Sequence, residues 1–348
     1  MSLASHTSNH AVIVGSSRYW FNYRHEVNAL SIYTLLKDNG FRDENIVLML
    51  ADEYAINPRN VLKNVMYPGN RKRSLYDKTT EIDYRGEDVT VQNLVLALTG
   101  RQRKGLAQLQ SDRDSHILIY LTGHGGDQFF KFQDVEELLA TEIASTLDQM
   151  HRDGLYGQVL LVADTCQAFT LGDKITAPNV TVIGSSLRDE SSYAHHSDME
   201  IGLASIERYT HTFMEYVRAN GTSHSLQQSM VDAYPFLVQR AHIGARDDLS
   251  PRKLSQVPLS DFFVAREKAQ KPLSPSLRIL EEFENTPTVP LRPPPFLFGS
   301  EDPVLEQMQQ PEMSDHAYIE GQLEPSDPFF LFSVALTLIA FSWASLRW

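Results

Sequence analysis

Five short runs of almost purely apolar residues constrain this chain most: Ala11–Gly15 (AVIVG), Ile46–Leu50 (IVLML), Ile117–Leu121 (ILIYL), Val159–Val162 (VLLV) and Val180–Gly184 (VTVIG). A strand wet on one face alternates apolar and polar residues. A run without that alternation suits a strand covered on both faces. Between the runs lie stretches with helical patterning: Glu26–Lys37, Val91–Leu98 and Val135–Met150. Buried strands alternating with helices predict an α/β fold, an open and mostly parallel sheet flanked by helices. In such sheets the functional loops lie beyond the carboxyl ends of the strands.

Two loops follow from that placement. Ile117–Leu121 runs into Thr122-Gly-His-Gly-Gly126, and Val159–Val162 runs into Ala163-Asp-Thr-Cys-Gln167. If both strands are parallel, His124 and Cys166 share one edge of the sheet. A thiolate is the reactive form of cysteine, and a nearby imidazole can take its proton. The glycines around His124 let backbone approach a substrate closely, and the N–H groups of Gly125 and Cys166 could hold a developing oxyanion. The alternative is a histidine that only bonds backbone and a thiol that only packs.

Composition removes the competitors. Cys166 is the sole cysteine in 348 residues, so an internal disulfide and a Cys-rich zinc site are both impossible. His195-His196 lacks a further Cys or His at ligand spacing, which argues against zinc there. With 44 acidic against 31 basic residues, the net charge of −13 repels nucleic acid. Neither a phosphate-binding G-x-x-x-x-G-K-[ST] loop nor a G-x-S-x-G elbow occurs.

The ends read differently from the middle. The first ten residues, MSLASHTSNH, are polar and show no signal-peptide h-region. Eleven of the 17 prolines fall between Lys271 and Pro328. Proline fixes φ and removes a donor, so residues 269–328 are expected to be an extended tether. Residues 329–346 (FFLFSVALTLIAFSWASL) carry no charge. As a helix they would measure about 27 Å, enough to cross a bilayer core. The expected organisation is a catalytic domain over 8–268, a Pro-rich linker and a C-terminal transmembrane helix.

At the His124 and Cys166 loops the sequence resembles the C13 cysteine peptidase family, the legumain-like proteins, and within it the GPI-transamidase branch. The resemblance rests on Arg18-Tyr-Trp-Phe-Asn-Tyr-Arg-His25, Ile46-Val-Leu-Met-Leu-Ala-Asp52, Asn57-Pro-Arg-Asn60, Asp83-Tyr-Arg85, Thr122-Gly-His-Gly-Gly126, Lys131-Phe-Gln-Asp134 and Asp164-Thr-Cys-Gln167. These strings run in family order through most of residues 10 to 220. The tether and membrane helix also resemble the transamidase branch.

The resemblance implies a caspase-like fold and a role for each matching residue. Cys166 resembles the nucleophile, His124 the general acid/base and Asn22 the residue that orients it. Gly125 and Cys166 would form the oxyanion hole. Arg24, His25, Asp164, Ser191, Ser192 and Glu207 would line the specificity pocket, with an Arg24–Asp164 ion pair as the structural alternative. Asp43, Glu81 and Asp83 match positions that hold a calcium-like ion, and three carboxylates suit a hard cation. No organic cofactor is implied.

The implied reaction cleaves a C-terminal GPI-attachment signal through a Cys166 thioester, which the amine of GPI phosphoethanolamine then attacks. Implied partners are the other membrane subunits of the transamidase, the GPI lipid and precursor proteins, at the endoplasmic reticulum membrane with the domain luminal. The alternative is a legumain-like asparaginyl endopeptidase. A noncatalytic scaffold is the third option. One departure stands out: Ile56 occupies a position where animal and yeast relatives carry a cysteine linked to a partner subunit, so that covalent link is impossible here.

Overall fold

In the computed structural model, residues 6–69, 71–233 and 240–266 are described. All five apolar runs form strands. In chain order the strands are β1 (Ser8–Gly15), β2 (Ile46–Leu50), β3 (Tyr84–Arg85), β4 (Ser115–Thr122), β5 (Gly125–Gly126), β6 (Phe129–Phe132), β7 (Glu136–Leu139), β8 (Gln158–Asp164), β9 (Val180–Gly184), β10 (Ala194–Asp198), β11 (Leu203–Glu207) and β12 (Gly244–Arg246). The main helices are α1 (Tyr23–Asp38), α2 (Val91–Leu98), α3 (Ala140–Arg152) and α4 (Arg208–Asn220).

Among the described residues, seven strands form one sheet in the order β12-β9-β8-β4-β1-β2-β3. Every pairing is parallel except that of β12 with β9. Alternate residues of each strand enter opposite layers. Ile13, Leu48, Tyr120 and Val162 pack with α1 and α4 on one face. Val14, Met49, Ile119 and Leu161 pack with α2 and α3 on the other. Both faces are covered, which is why the runs show no polar alternation.

The chain starts at β1, moves outward through β2 and β3, and returns on the other side of β1 as β4. The crevice beyond the carboxyl ends of β1 and β4 is therefore the switch point of the sheet, where open α/β folds place ligands. Helix α1 starts three residues before the expected Glu26. It ends at Asp38 with Asn39 as its cap, and Gly40 beyond takes φ +90°, a conformation that glycine adopts without a Cβ clash.

The expected helix Val135–Met150 is corrected. Glu136–Leu139 forms β7, antiparallel to β6, and the helix begins only at Ala140. β5, β6 and β7 make a small separate sheet just after His124. Gln128, Gln133 and Asp134 have positive φ, and these turns reverse the chain twice within 16 residues. A helix cannot compete there, because β7 gains a cross-strand partner at each of its four positions.

The described residues fall within the compact unit Met1–Ile279. The tether expected at 269–328 and the membrane helix expected at 329–346 lie outside the described residues. Among the described residues no helix is long and apolar enough to cross a membrane.

Candidate active site

β4 and β8 are parallel neighbours with Thr122 level with Asp164. His124 and Cys166 therefore each stand two residues past the same sheet edge, on strands about 4.8 Å apart. The two loops touch. A Cβ built on Gly125 would meet the Thr165 hydroxyl at 2.7 Å, so only glycine permits this approach.

Asn22 fixes His124. It lies in the turn Trp20–Asn22, between β1 and α1, and is fully buried. Its amide nitrogen donates to the Arg18 carbonyl at 2.6 Å, which turns its Oδ1 toward His124 Nε2 at 2.9 Å. An amide oxygen only accepts, so Nε2 carries the proton and Nδ1 is the basic nitrogen. His25 packs edge-on against the His124 ring, with centroids 4.9 Å apart. Burial lowers the His124 pKa, and the nearby Arg24 cation lowers it further. His124 is thus held as a neutral base.

Cys166 is partly buried. Its loop is tied down on the far side. Gln167, at φ +53°, donates its N–H to the Glu190 carbonyl at 2.9 Å and accepts from the Asp189 N–H at 3.0 Å. Ser186 donates to the Thr165 carbonyl at 2.8 Å. On the His124 side, the Lys131 N–H donates to the His124 carbonyl. In an antiparallel pair, bonded and non-bonded positions alternate, so Gly125 opposite Phe130 is non-bonded and its N–H points away from β6. That donor faces the open side of an edge strand, as an oxyanion hole requires.

The expected pocket residues converge, but with different pairings. Arg24 does not pair with Asp164. Its Nε donates to Glu207 Oε1 at 2.6 Å. His25 Nε2 lies 3.2 Å from that same oxygen, and its Nδ1 bonds Ser17 Oγ at 2.8 Å. Burial first, then the Arg24 cation, pushes the His25 pKa well down, so the imidazole beside Glu207 is neutral and their contact is not an ion pair. Glu207 is buried, which raises its pKa against the pull of Arg24. Its Oε2 is buried without a hydrogen-bond partner. Breaking this buried pair by removing Arg24 would cost about 3–5 kcal/mol.

Asp164 accepts from Ser192 Oγ at 3.1 Å and Thr210 Oγ1 at 2.7 Å. Burial and the neighbouring Glu207 raise its pKa to about 6. Ser191, the chain neighbour of Ser192, is exposed. Two residues escaped the sequence reading. Thr210, at the start of α4, holds Asp164. Asn28 of α1 donates to Thr122 Oγ1 at 2.9 Å and accepts from the Glu207 N–H at 3.0 Å. The available signal for Asn28 was a polar residue in the apolar stretch of α1.

Asp43, Glu81 and Asp83 are neighbours, and the charges of Glu81 and Asp43 add to burial in raising Asp83 to about 6. Three of their carboxylate oxygens are already engaged. Asp43 accepts from Tyr33 at 2.6 Å and Lys37 at 2.7 Å, and Asp83 accepts from the Leu48 N–H at 2.8 Å. They do not form a closed set of ligands. The reading of His195-His196 as lacking a third ligand is corrected: His211 of α4 lies against both rings.

A family model described as the peptidase C13 family matches residues 9–265. The GPI-anchor transamidase of Saccharomyces cerevisiae is 42% identical over 286 residues, which cover 79% of this chain and 69% of that protein. The putative GPI-anchor transamidase of Drosophila melanogaster is 44% identical, covering 75% of each chain. The GPI-anchor transamidase of Homo sapiens is 38% identical over 77% of this chain and 69% of that protein. Among solved structures, caspase-1 from Spodoptera frugiperda aligns with 78% of this chain and 96% of its own at 10% identity and a TM-score of 0.43.

Proposed function

The chain belongs to the peptidase C13 family, and from that premise we propose that it is the cysteine-dependent catalytic chain of a GPI-anchor transamidase. The observation that carries the reading is the Asn22–His124 pair at 2.9 Å, on a sheet edge shared with Cys166.

The reaction runs in two halves. His124 Nδ1 takes the Cys166 thiol proton, and the sulfur attacks the carbonyl carbon at the attachment site. The oxygen of the tetrahedral intermediate accepts from the Gly125 and Cys166 N–H groups. Collapse breaks the C–N bond, His124 returns the proton to the leaving amine, and a thioester remains. The amine of GPI phosphoethanolamine then attacks that thioester and loses a proton to His124. The amide forms, and Cys166 leaves as thiolate and is reprotonated.

Arg24, His25, Asp164, Ser191, Ser192 and Glu207 would line the pocket for the attachment-site residue. The relatives' names support GPI-signal precursors as substrates. We extend the proposal to an endoplasmic reticulum membrane location, to residues 269–328 and 329–346 as tether and anchor of the 8–268 domain, and to noncovalent assembly with other membrane subunits. Ile56, exposed at 56%, allows only noncovalent contact at its position. A calcium ion at Asp43, Glu81 and Asp83 would need to draw Asp43 away from Lys37. Calcium-dependent protection against thermal unfolding, lost in Asp83→Asn, tests that part.

The test of function is Cys166→Ala. The variant should fold and support no GPI attachment, so cells carrying it alone should accumulate uncleaved precursors. Normal surface display of GPI-anchored reporters would overturn the assignment. One observation favours a second reading, an asparaginyl endopeptidase: the polar pocket built from Asp164, Arg24 and Glu207. Hydrazine offered to the assembled enzyme separates the two, since transfer yields a hydrazide and an endopeptidase yields only the free acid.

A further inference from the structure

Outside the catalytic edge, three imidazoles meet where nothing in the proposed reaction needs them. We propose that His195, His196 and His211 form a binding site for a divalent transition-metal ion of the zinc class. One ring nitrogen from each lies within 4.8 Å of the others. His196 Nε2 and His211 Nε2 are 3.1 Å apart. Two nitrogens bound tetrahedrally at about 2.0–2.1 Å stand roughly 3.3 Å from each other, so this pair is nearly at ligating separation.

The backbone is arranged for it. Consecutive strand residues point to opposite faces, so His195 and His196 in β10 should diverge. They do not: their ring centroids are 4.2 Å apart. His196 takes φ +52°, a left-handed conformation uncommon for a residue with a Cβ, and its ring joins that of His195 on one side. Gly69 makes the space, since a Cβ there would lie 2.7 Å from the His196 Cβ. The hairpin itself is clamped. Arg71 holds Asp198, at the end of β10, through Nε at 3.1 Å and Nη2 at 2.6 Å.

The third ligand comes from the neighbouring helix. The His211 ring lies 4.3 Å from that of His196 and 5.0 Å from that of His195. An ordinary imidazole, with a pKa of about 6.5, is mostly neutral at pH 7 and so has a nitrogen lone pair to offer. Neutral imidazole is the form a metal takes. Borderline metals such as zinc prefer nitrogen ligands, whereas calcium and magnesium prefer oxygen. Three ligands leave a fourth position open, and exposed His196 places it toward solvent. Bound metal would fasten β10, which follows the pocket residue Ser192, to α4, which follows the pocket residue Glu207.

The experiment uses the full chain without an added histidine tag, as the Cys166→Ala variant so that no thiol competes for metal. Zinc is titrated against a chromophoric chelator, and cobalt is added separately to read the visible bands of a four-coordinate nitrogen site. The expected result is one equivalent bound, with affinity falling at least about tenfold in His211→Asn and in His196→Ala. His196 is exposed, so His196→Ala keeps the test decisive if His211→Asn folds poorly. No stoichiometric binding would reduce the cluster to a hydrogen bond between imidazoles. Binding unchanged in His196→Ala would place any metal elsewhere. Either result overturns the site, and neither bears on the reaction at Cys166.

Discussion

Asn22 Oδ1 accepts from His124 Nε2 at 2.9 Å, while the Asn22 amide nitrogen donates to the Arg18 carbonyl at 2.6 Å. The side chain can sit only one way round, and it therefore dictates which nitrogen of His124 is basic. Asn22→Ala should lower kcat about 10- to 100-fold with little change in KM, because the imidazole loses its orientation and not its presence. Steady-state kinetics on a peptide substrate would check this. A change confined to KM would mean that Asn22 serves the pocket instead.

Asp134 raises the His124 pKa through its negative charge, acting against burial and Arg24. Asp134→Asn removes that charge. The imidazolium is then less favoured, the pKa falls, and the acid limb of the rate profile should move to lower pH. Lys131 has the opposite effect, so Lys131→Gln should move the limb upward. Asp134 has φ +59°, which asparagine also tolerates, so the fold should be undisturbed. The pH dependence of kcat/KM for the two variants is the measurement.

Glu26 is buried in α1, and its Oε2 accepts from the Tyr54 N–H at 3.0 Å. Burial first raises its pKa from 4.5 to about 8, despite that bond. The folded state thus binds a proton that the unfolded chain has already released above pH 4.5. Stability from this group is full below that pH and is lost as pH rises through about 8. Glu26→Gln should flatten this loss, which is on the order of a few kcal/mol. Urea unfolding at several pH values would reveal it, and an unchanged slope between pH 5 and 8 would refute it.

Gly123 has no room for a side chain. A Cβ there would fall on the Ser16 hydroxyl and come within 3.2 Å of the Phe130 ring. Gly123→Ala should destabilise the fold by about 1–3 kcal/mol and reduce activity, since His124 is the next residue. Adding Ser16→Ala removes the worst contact and should recover part of both losses, as a double-mutant cycle would show.

The main sheet was legible because strands buried on both faces write an uninterrupted apolar word, and all five such words became strands. β5, β6 and β7 were not, because two- to four-residue strands carry too little pattern, and Glu136–Leu139 merges with the helical spacing that follows it. His124 and Cys166 were legible from their place after apolar runs. Their supports were less so. Thr210 and Asn28 reach the pocket from helices, and no spacing in the sequence connects them to Asp164 or Glu207. His211 lies 15 residues from His196, too far for a local ligand motif, and only the return of α4 past the hairpin brings it near.

Asn22, His124, Cys166 and Glu207 each follow or end a different strand, and the sheet order β8-β4-β1 sets the first three side by side. No two of them are near neighbours in the chain. A nascent or partly folded polypeptide therefore carries a thiol without its base and a base without its orienting amide. The constellation is complete only where these strands stand docked side by side, so a chain short of that state holds its nucleophile, its base and its orienting amide apart.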